Sequence, residues 1–273
     1  MDSNHHPFFS IIMPAYNSGH FIAKTIQSVV NQSFDNWELI IVNDRSTDNT
    51  AEIIDTISAK DKRIRLVKTP PNTRKAGLAR QVGIQHSQGL FVCFLDSDDS
   101  YCKDKLKTHY DILISKQEID IMSTAWIIVD PKGNQIKVRN RPWFQKLYSQ
   151  FLSIKNICLL TNPICTSTVV IKKELLDRYD YSLYTTKIAE DWLMWNDLFH
   201  TQSLNYFYIE TPLTEYRVNP SSLTHRADVN INYYGIVIFS ILLSTYKINF
   251  FQWLVAVLIR LLRNLITRKS IRV

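Results

Sequence analysis

Four strand-like runs lie in the first hundred residues; each ends in polar residues, and the first three give way to a stretch with helical spacing. The first run is residues 8–13 (FFSIIM). Asn17 and Ser18 then offer a helix cap, and Phe21, Ile22, Thr25, Ile26, Val29 and Val30 recur at helical intervals. Residues 37–42 (WELIIV) form the second run, followed by Ile53, Ile54 and Ile57. Residues 64–68 read as a third strand and residues 76–86 as a helix closed by Gly89. Residues 90–95 (LFVCFL) are the fourth strand. Such alternation predicts a parallel sheet with helices on both faces. Sheets of this kind bind ligands at the carboxyl ends of their strands. The polar residues gather there: Pro14 to Asn17, Asn43-Asp44, Thr69 to Asn72, and Asp96 to Asp99. Segments far apart in sequence thus converge on one rim.

No G-x-G-x-x-G follows the first strand, and no G-x-x-x-x-G-K-[ST] occurs anywhere. Phosphates must be held without a glycine-rich loop, and carboxylates carrying Mg²⁺ or Mn²⁺ are the natural substitute. Asp96, Asp98 and Asp99 crowd like charges at a strand end, which is costly unless a cation neutralises them. In an extended segment Asp96 and Asp98 point the same way. The plain alternative is a solvated turn that caps the helix near Lys103. Asp44 at the second strand end can accept a hydrogen bond from a uracil N–H or a ribose hydroxyl, and Tyr16 can lie against a flat base. Thr47 or Asp48 reads as a cap for the next helix.

These segments resemble the family 2 glycosyltransferases. The matching residues are 10–17 (SIIMPAYN), 42–48 (VNDRSTD), Ala79-Arg80 and 94–99 (FLDSDD), in the same order and spacing. The likeness is dense over the first hundred residues and continues weakly to about residue 225. It implies a GT-A fold (an α/β, Rossmann-like nucleotide-sugar-binding sheet), a nucleotide-sugar donor and usually Mn²⁺ or Mg²⁺. By position it implies that Pro14, Tyr16 and Asp44 form the nucleoside pocket, with Lys75 near the base. It makes Asp96 a ribose or diphosphate contact that also adjoins the metal, and Asp98 the main metal ligand. The place of Asp99 stays open. Gln81 stands where the family often has Asn after Ala-Arg, and no role is assigned to it.

Beyond residue 100, residues 103–115 read as a helix, 119–129 as a strand leading to a turn at 132–134, and 166–171 as another strand. Glu190-Asp191 opens an apolar helical segment. Acidic residues there complement the helix dipole in any protein. The resemblance implies more: an Asp191 general base that deprotonates the acceptor hydroxyl, with Glu190 orienting the acceptor or the neighbouring backbone. Residues 216–225 (YRVNPSSLTH) read as a loop. Arg217 in it can compensate the charge of a leaving diphosphate, Ser221 or Ser222 can add hydrogen bonds, and His225 reads as solvated rather than as a metal ligand.

The chain has 273 residues, 45% of them hydrophobic and 21% charged, so neither disorder nor a multi-span membrane protein fits. Cys93, Cys102, Cys158 and Cys165 form no C-x-x-C pair, which argues against a disulfide framework or zinc site and for a reducing compartment. Residues 1–7 are polar, so a cleaved secretion signal is not indicated. Net charge is +7, concentrated near the end, where Lys247, Arg260, Arg263, Arg268, Lys269 and Arg272 occur without an acidic residue among them. Residues 229–246 are uncharged but interrupted by Asn230, Asn232, Gly235 and Ser240, which weakens a spanning helix. Residues 250–267 put Gln252, Ala256, Arg260, Arg263, Asn264 and Thr267 on one stripe of an otherwise apolar helix. That pattern suits an amphipathic helix on anionic lipid, with a core-packed or dimerising helix as the alternative. Nucleic acid fits less well, because aromatic residues are not interleaved with the basic ones on a polar face.

The expected organisation is a nucleotide-sugar-binding half (1–100), an acceptor-binding and catalytic half (101–228), and a membrane-associating helical tail (229–273). The expected activity is inverting transfer of a hexose, glucose or galactose, from a UDP-sugar. The acceptor is a lipid-linked saccharide such as GlcNAc-diphospho-undecaprenol, and the product a β linkage in O-antigen or other surface polysaccharide. The expected place is the cytoplasmic face of a bacterial inner membrane. The alternatives are a polyprenyl-phosphate glycosyltransferase and a non-catalytic, membrane-tethered nucleotide- or sugar-binding protein.

Overall fold

Phe9–Ala15, β1, is buried at every position, and Trp37–Asn43, β2, is buried likewise. Strands covered on both faces have no polar side to show, which is why their sequences run apolar without alternation. They sit in the middle of the parallel half of a sheet, flanked by β3 (Ile64–Lys68) and β4 (Phe91–Phe94). The computed structural model describes residues 6–70, 75–140, 153–160, 162–177 and 190–219, with isolated positions between 240 and 258.

Past β4 the pairing changes. Strands β5 (Ser100–Tyr101), β6 (Ile121–Val129), β7 (Gln135–Arg139), β8 (Val170–Lys172) and β9 (Tyr206–Arg217) complete the sheet in the order β3-β2-β1-β4-β8-β6-β9-β5, with β7 paired to β6. β8 runs antiparallel to β4 and β6, β9 parallel to β6, and β5 antiparallel to β9. The sheet is therefore mixed rather than wholly parallel. The strand expected at 166–171 is instead a 3₁₀ turn, Thr166–Thr168, followed by β8. Tyr216 and Arg217, expected in a loop, are the last residues of β9. Pro212 sits where the β6–β9 register slips, a place where its missing N–H is tolerated.

Helices α1 (Ile22–Val30), α2 (Thr50–Ser58), α3 (Ala76–His86) and α4 (Lys105–Ser115) pack around this sheet. α1 buries Ile22, Thr25, Ile26 and Val29, a stripe at i, i+3, i+4 and i+7. α3 lies unusually close to β1 and β2, because a side chain at Gly83 would collide with Ile12 and crowd Val42. Phe8, Phe9, Phe34, Phe91 and Tyr110 close the far end with ring contacts 4.6–6.4 Å apart.

The chain divides into two compact units interleaved in sequence. The first, Met1–Asn140, Cys165–Leu183 and Asn205–Val218, carries the sheet. The second is Arg141–Ile164, Tyr184–Leu204 and Asn219–Val273. Within it, α5 (Ile154–Leu160) and α6 (Glu190–Thr201) pack together, with the Trp192 indole and the Asn196 carboxamide donating to the Cys158 carbonyl at 2.6 and 3.1 Å. The amphipathic tail expected at 250–267 lies largely outside the described residues. Among the described residues no helix is long and apolar enough to cross a membrane.

Candidate functional site

Parallel strands bring their carboxyl ends to one edge of the sheet, and the loops that leave them are tied together. The Ser18 amide donates to the Thr50 hydroxyl (2.8 Å), and the Asn17 carboxamide oxygen accepts from the Thr47 amide (2.8 Å). The Ser18 and Ser97 hydroxyls share a bond of 2.6 Å, and Thr25 donates to the Ser97 carbonyl at 2.9 Å. The loops after β1, β2 and β4 thus form one polar rim. Tight turning makes it possible: Asn17 and Arg45 adopt φ of 48° and 59°, a left-handed conformation that Asn tolerates and Arg seldom adopts. The Arg45 guanidinium reaches over to the Thr69 and Pro70 carbonyls, both at 3.3 Å, so it ties its own turn to the loop after β3.

The nucleoside candidates take distinct positions on this rim. Pro14 lies in β1 opposite Val42. Tyr16 is 47% exposed, with its ring open to solvent. Asp44 is buried, accepts from the Thr69 hydroxyl at 2.7 Å and anchors its own amide to the Ala15 carbonyl at 2.8 Å. Lys75 holds the extended position just before α3.

The acidic cluster is a turn, not the extended segment expected, since the Asp99 amide bonds back to the Asp96 carbonyl at 3.0 Å. Its three carboxylates therefore meet different surroundings. Asp96 receives the Arg80 guanidinium at 2.6 Å, and its amide donates to the Ser167 hydroxyl at 3.1 Å. Asp99 points inward, is 1% exposed, and accepts from the Ser167 hydroxyl at 2.5 Å and the Arg217 amide at 2.9 Å. Burial, with the charges of Asp98 and Asp96 adding to it, pushes its carboxyl well above the usual range. Asp98 is half-buried, and burial together with the Asp96 charge pushes its carboxyl up to about 6. No ion pair to Asp98 is formed among the described residues.

A dication would relieve this crowding. Among the described residues no group of three or more His, Cys, Asp or Glu side chains gathers as a metal cage. Mg²⁺ and Mn²⁺ need none where substrate phosphates and water complete the shell, and one or two carboxylates suffice. Asp98 and the free oxygen of Asp96 fit that requirement, whereas Asp99 is turned away and engaged.

Two residues at the site had no role assigned from the sequence: Arg80, quoted only within the Ala79-Arg80 match, and Ser167. Arg80 had a visible signal, a cation among Gly77, Ala79 and Gly83 on an otherwise closely packed helix. Small neighbours let α3 approach the sheet, and Arg80, one turn before Gly83, is thereby buried against Asp96. Ser167 had no local signal, because its partners are 68 and 71 residues away. Arg217 is also placed differently from expectation. Its guanidinium is buried and donates to the carbonyls of Asp98 (2.9 Å), Asp130 (2.9 Å) and Pro131 (3.0 Å).

Glu190 and Asp191 belong to the second unit, in the first turn of α6. Asp191 accepts from the Trp192 amide at 2.7 Å and from the Asn162 carboxamide at 3.1 Å. Ser221, Ser222 and His225 lie outside the described residues. A separate cleft of about 430 Å³ opens at the opposite ends of the strands beside Trp37, but its Arg63 and Arg65 are engaged by Asp61 and Glu38.

With the rim and its carboxylates in place, residues 10–180 match the profile of Glycosyl transferase family 2. The chain belongs to this family. Family 2 relatives include a β-1,3-glucosyltransferase of Escherichia coli, WfgD, whose name gives its donor as UDP-Glc and its acceptor as α-D-GlcNAc-diphosphoundecaprenol. It is 29% identical over 215 residues, 79% of each protein. An uncharacterised glycosyltransferase of Haemophilus influenzae is 41% identical over 132 residues, 48% of this chain and 52% of the relative. TuaG of Bacillus subtilis is 40% identical over 114 residues, 42% of this chain and 45% of the relative. The chain thus spans about half the length of the latter two relatives. Solved structures share the fold. S. aureus TarS in complex with UDP-GlcNAc aligns over 86% of this chain and 66% of its own, with a TM-score of 0.65 at 22% identity. The mannosyltransferase PcManGT of Pyrobaculum calidifontis, in complex with GDP-Man and Mn²⁺, aligns over 89% and 66% with a TM-score of 0.63 at 18% identity. The family 2 chain accordingly has the GT-A-type α/β fold that its first hundred residues imply.

Proposed function

We propose that this chain is an inverting, metal-dependent glycosyltransferase that moves a hexose from a UDP-sugar onto a lipid-linked saccharide. The observation that carries this reading is the turn at Asp96–Asp99, where an Arg80-held carboxylate and the raised carboxyl of Asp98 stand at a strand-end rim. Asp44 and the exposed ring of Tyr16 receive the nucleoside beside Pro14, with Lys75 near the base. Asp96 and Asp98 hold the divalent cation, Mn²⁺ or Mg²⁺. The cation, when bound, neutralises charge on the leaving diphosphate. Asp191 removes the proton of the acceptor hydroxyl as that oxygen attacks the anomeric carbon in line, while Glu190 orients the acceptor. Inversion of an α-linked donor yields a β linkage.

Of the two hexoses expected, glucose or galactose, the WfgD likeness supports glucose; it also supports a GlcNAc-diphospho-lipid as acceptor and a role in O-antigen or related surface polysaccharide. The TarS and PcManGT complexes support a nucleotide-sugar donor and a metal. A peripheral place on the cytoplasmic face of a bacterial inner membrane is supported by the end of the chain. There Phe250, Phe251, Leu254 and Leu258 are exposed. The division of labour is the one read from the sequence: donor binding in 1–100, acceptor and base in 101–228, membrane contact in 229–273.

Calorimetry with UDP in Mn²⁺, followed by a donor-by-acceptor screen read by mass spectrometry, tests the proposal. Failure of the purified chain to bind UDP with Mn²⁺ present would sink it. Asp191→Asn is expected to lower turnover by about 10²–10⁴-fold, the usual weight of a general base, with UDP affinity unchanged. Turnover that survives this change would point to a lipid phosphate as acceptor, which needs little help from a base.

A further inference from the structure

The Arg217 guanidinium is committed to backbone. Its Nε donates to the Asp98 carbonyl at 2.9 Å, and one Nη donates to the Asp130 and Pro131 carbonyls at 2.9 and 3.0 Å. Its amide donates to the Asp99 carboxylate at 2.9 Å, and its Cζ lies 5.1 Å from the centre of the Phe21 ring. The side chain is 5% exposed. One residue thus joins the acidic turn, the end of β9, the start of α1 and the turn between β6 and β7.

The turn between β6 and β7 is itself stiff. Asp130 accepts from the Asn134 amide (2.8 Å) and carboxamide (2.9 Å), and Gly133, at φ +92°, donates to the Asp130 carbonyl at 2.9 Å. Asp130 and Pro131 therefore offer their carbonyls in a fixed arrangement. A planar guanidinium can satisfy several acceptors at fixed angles, which an ammonium cannot do. Nε and one Nη are thus fixed on carbonyls before any ligand binds.

We propose that Arg217 is a positioning residue: it clamps the metal-binding turn at Asp98–Asp99 to the rigid turn at Asp130–Asn134, so that the second turn sets the geometry of the first. This assignment rests on the proposed metal-dependent function for its purpose, but the clamp can be measured without it.

The test compares wild type with Arg217→Met, Arg217→Lys and Asp130→Ala, each checked for folding by circular dichroism. Hydrogen exchange on metal-free protein reads the clamp itself. The amides of 96–101 are expected to exchange at least about tenfold faster in Arg217→Met, and measurably faster in Asp130→Ala, although Asp130 does not touch that turn through its side chain. Calorimetry with Mn²⁺ alone reads the consequence. Its Kd is expected to rise about tenfold in Arg217→Met and nearly as much in Arg217→Lys. Adding Asp130→Ala to Arg217→Met is expected to weaken Mn²⁺ no further, because both changes release one clamp. The proposal is overturned if 96–101 exchanges as in wild type, or if Mn²⁺ affinity holds while only UDP affinity falls. Rescue of UDP affinity by Arg217→Lys would also overturn it, in favour of a simple charge on the diphosphate. If wild type binds neither Mn²⁺ nor UDP, the proposed function fails, and hydrogen exchange still decides the clamp.

Discussion

Asp98 and Asp99 are neighbours of identical chemistry with opposite surroundings. Asp99 is sealed inside and satisfies the Ser167 hydroxyl and the Arg217 amide. Removing it orphans both donors, and an unsatisfied buried polar group costs about 1–3 kcal/mol. Urea denaturation is expected to show Asp99→Ala destabilised by about that much. Asp99→Asn should lose far less, because burial already disfavours the charged form and the amide keeps an acceptor oxygen. Asp98 has the reverse profile. Its carboxyl repels Asp96 in the metal-free protein, so Asp98→Asn is expected to leave stability equal or higher while abolishing Mn²⁺ binding and turnover. Wild-type turnover in Asp98→Asn would contradict the metal assignment. Acidic spacing made both residues candidates. Which one faces inward depends on Ser167 and Arg217, and no local pattern reveals that.

At the scale of elements, α3 shows how packing builds chemistry. Gly83 lets the helix touch Ile12 and Val42, and this approach is what seats Arg80 against Asp96 at 2.6 Å. Gly83→Ala gains helix propensity worth about 1 kcal/mol but overpacks a dense layer, which costs about 1–3 kcal/mol. A net loss of stability is expected in thermal unfolding, with weaker UDP and Mn²⁺ binding as Arg80 shifts. Unchanged Mn²⁺ affinity in a folded Gly83→Ala protein would detach Arg80 from the site. The strands β1, β2 and β4 were legible because each is a mostly apolar run with helical spacing after it, and β3 (IRLVK) because it falls between two helical stretches. β9 was not, because its two halves are broken by Pro212 and its sequence (YFYIETPLTEYR) mixes aromatics, threonines and acids without a regular alternation. Its strand character comes from pairing with β6, a partner 85 positions earlier at Ile121↔Tyr206, and such long-range pairing leaves little trace in local composition.

At the scale of the whole molecule, the acidic turn links stability to pH and metal. Folding raises the Asp98 carboxyl to about 6 and Asp99 in the same direction. A carboxyl raised on folding contributes stability that is present below its ordinary value near 4 and is lost as pH rises through the folded value. The metal-free protein is therefore expected to lose part of its stability between about pH 4 and 6 on account of Asp98, with Asp99 acting in the same direction. A divalent cation supplies the missing positive charge only to deprotonated carboxylates. Saturating Mn²⁺ is thus expected to raise Tm by several degrees at pH 7.5, about 2–4 °C per kcal/mol for a chain of this size, and by little at pH 5. An equal shift at both values would mean that Mn²⁺ acts elsewhere. The same scan with chelator removes the effect if the cation is responsible.

The sequence by itself determined the alternation of strands and helices, the location of the rim at strand carboxyl ends, and the family to which the chain belongs. These follow from local periodicity and short motifs, whose physics acts over a few residues. Only the tertiary structure decided how the acidic residues divide their surroundings, that Arg80 stands beside Asp96, and that Arg217 is spent on backbone carbonyls. Those facts depend on contacts between segments 16 to 119 positions apart. Periodicity carries no record of such distances, because the chain writes them only when the sheet closes.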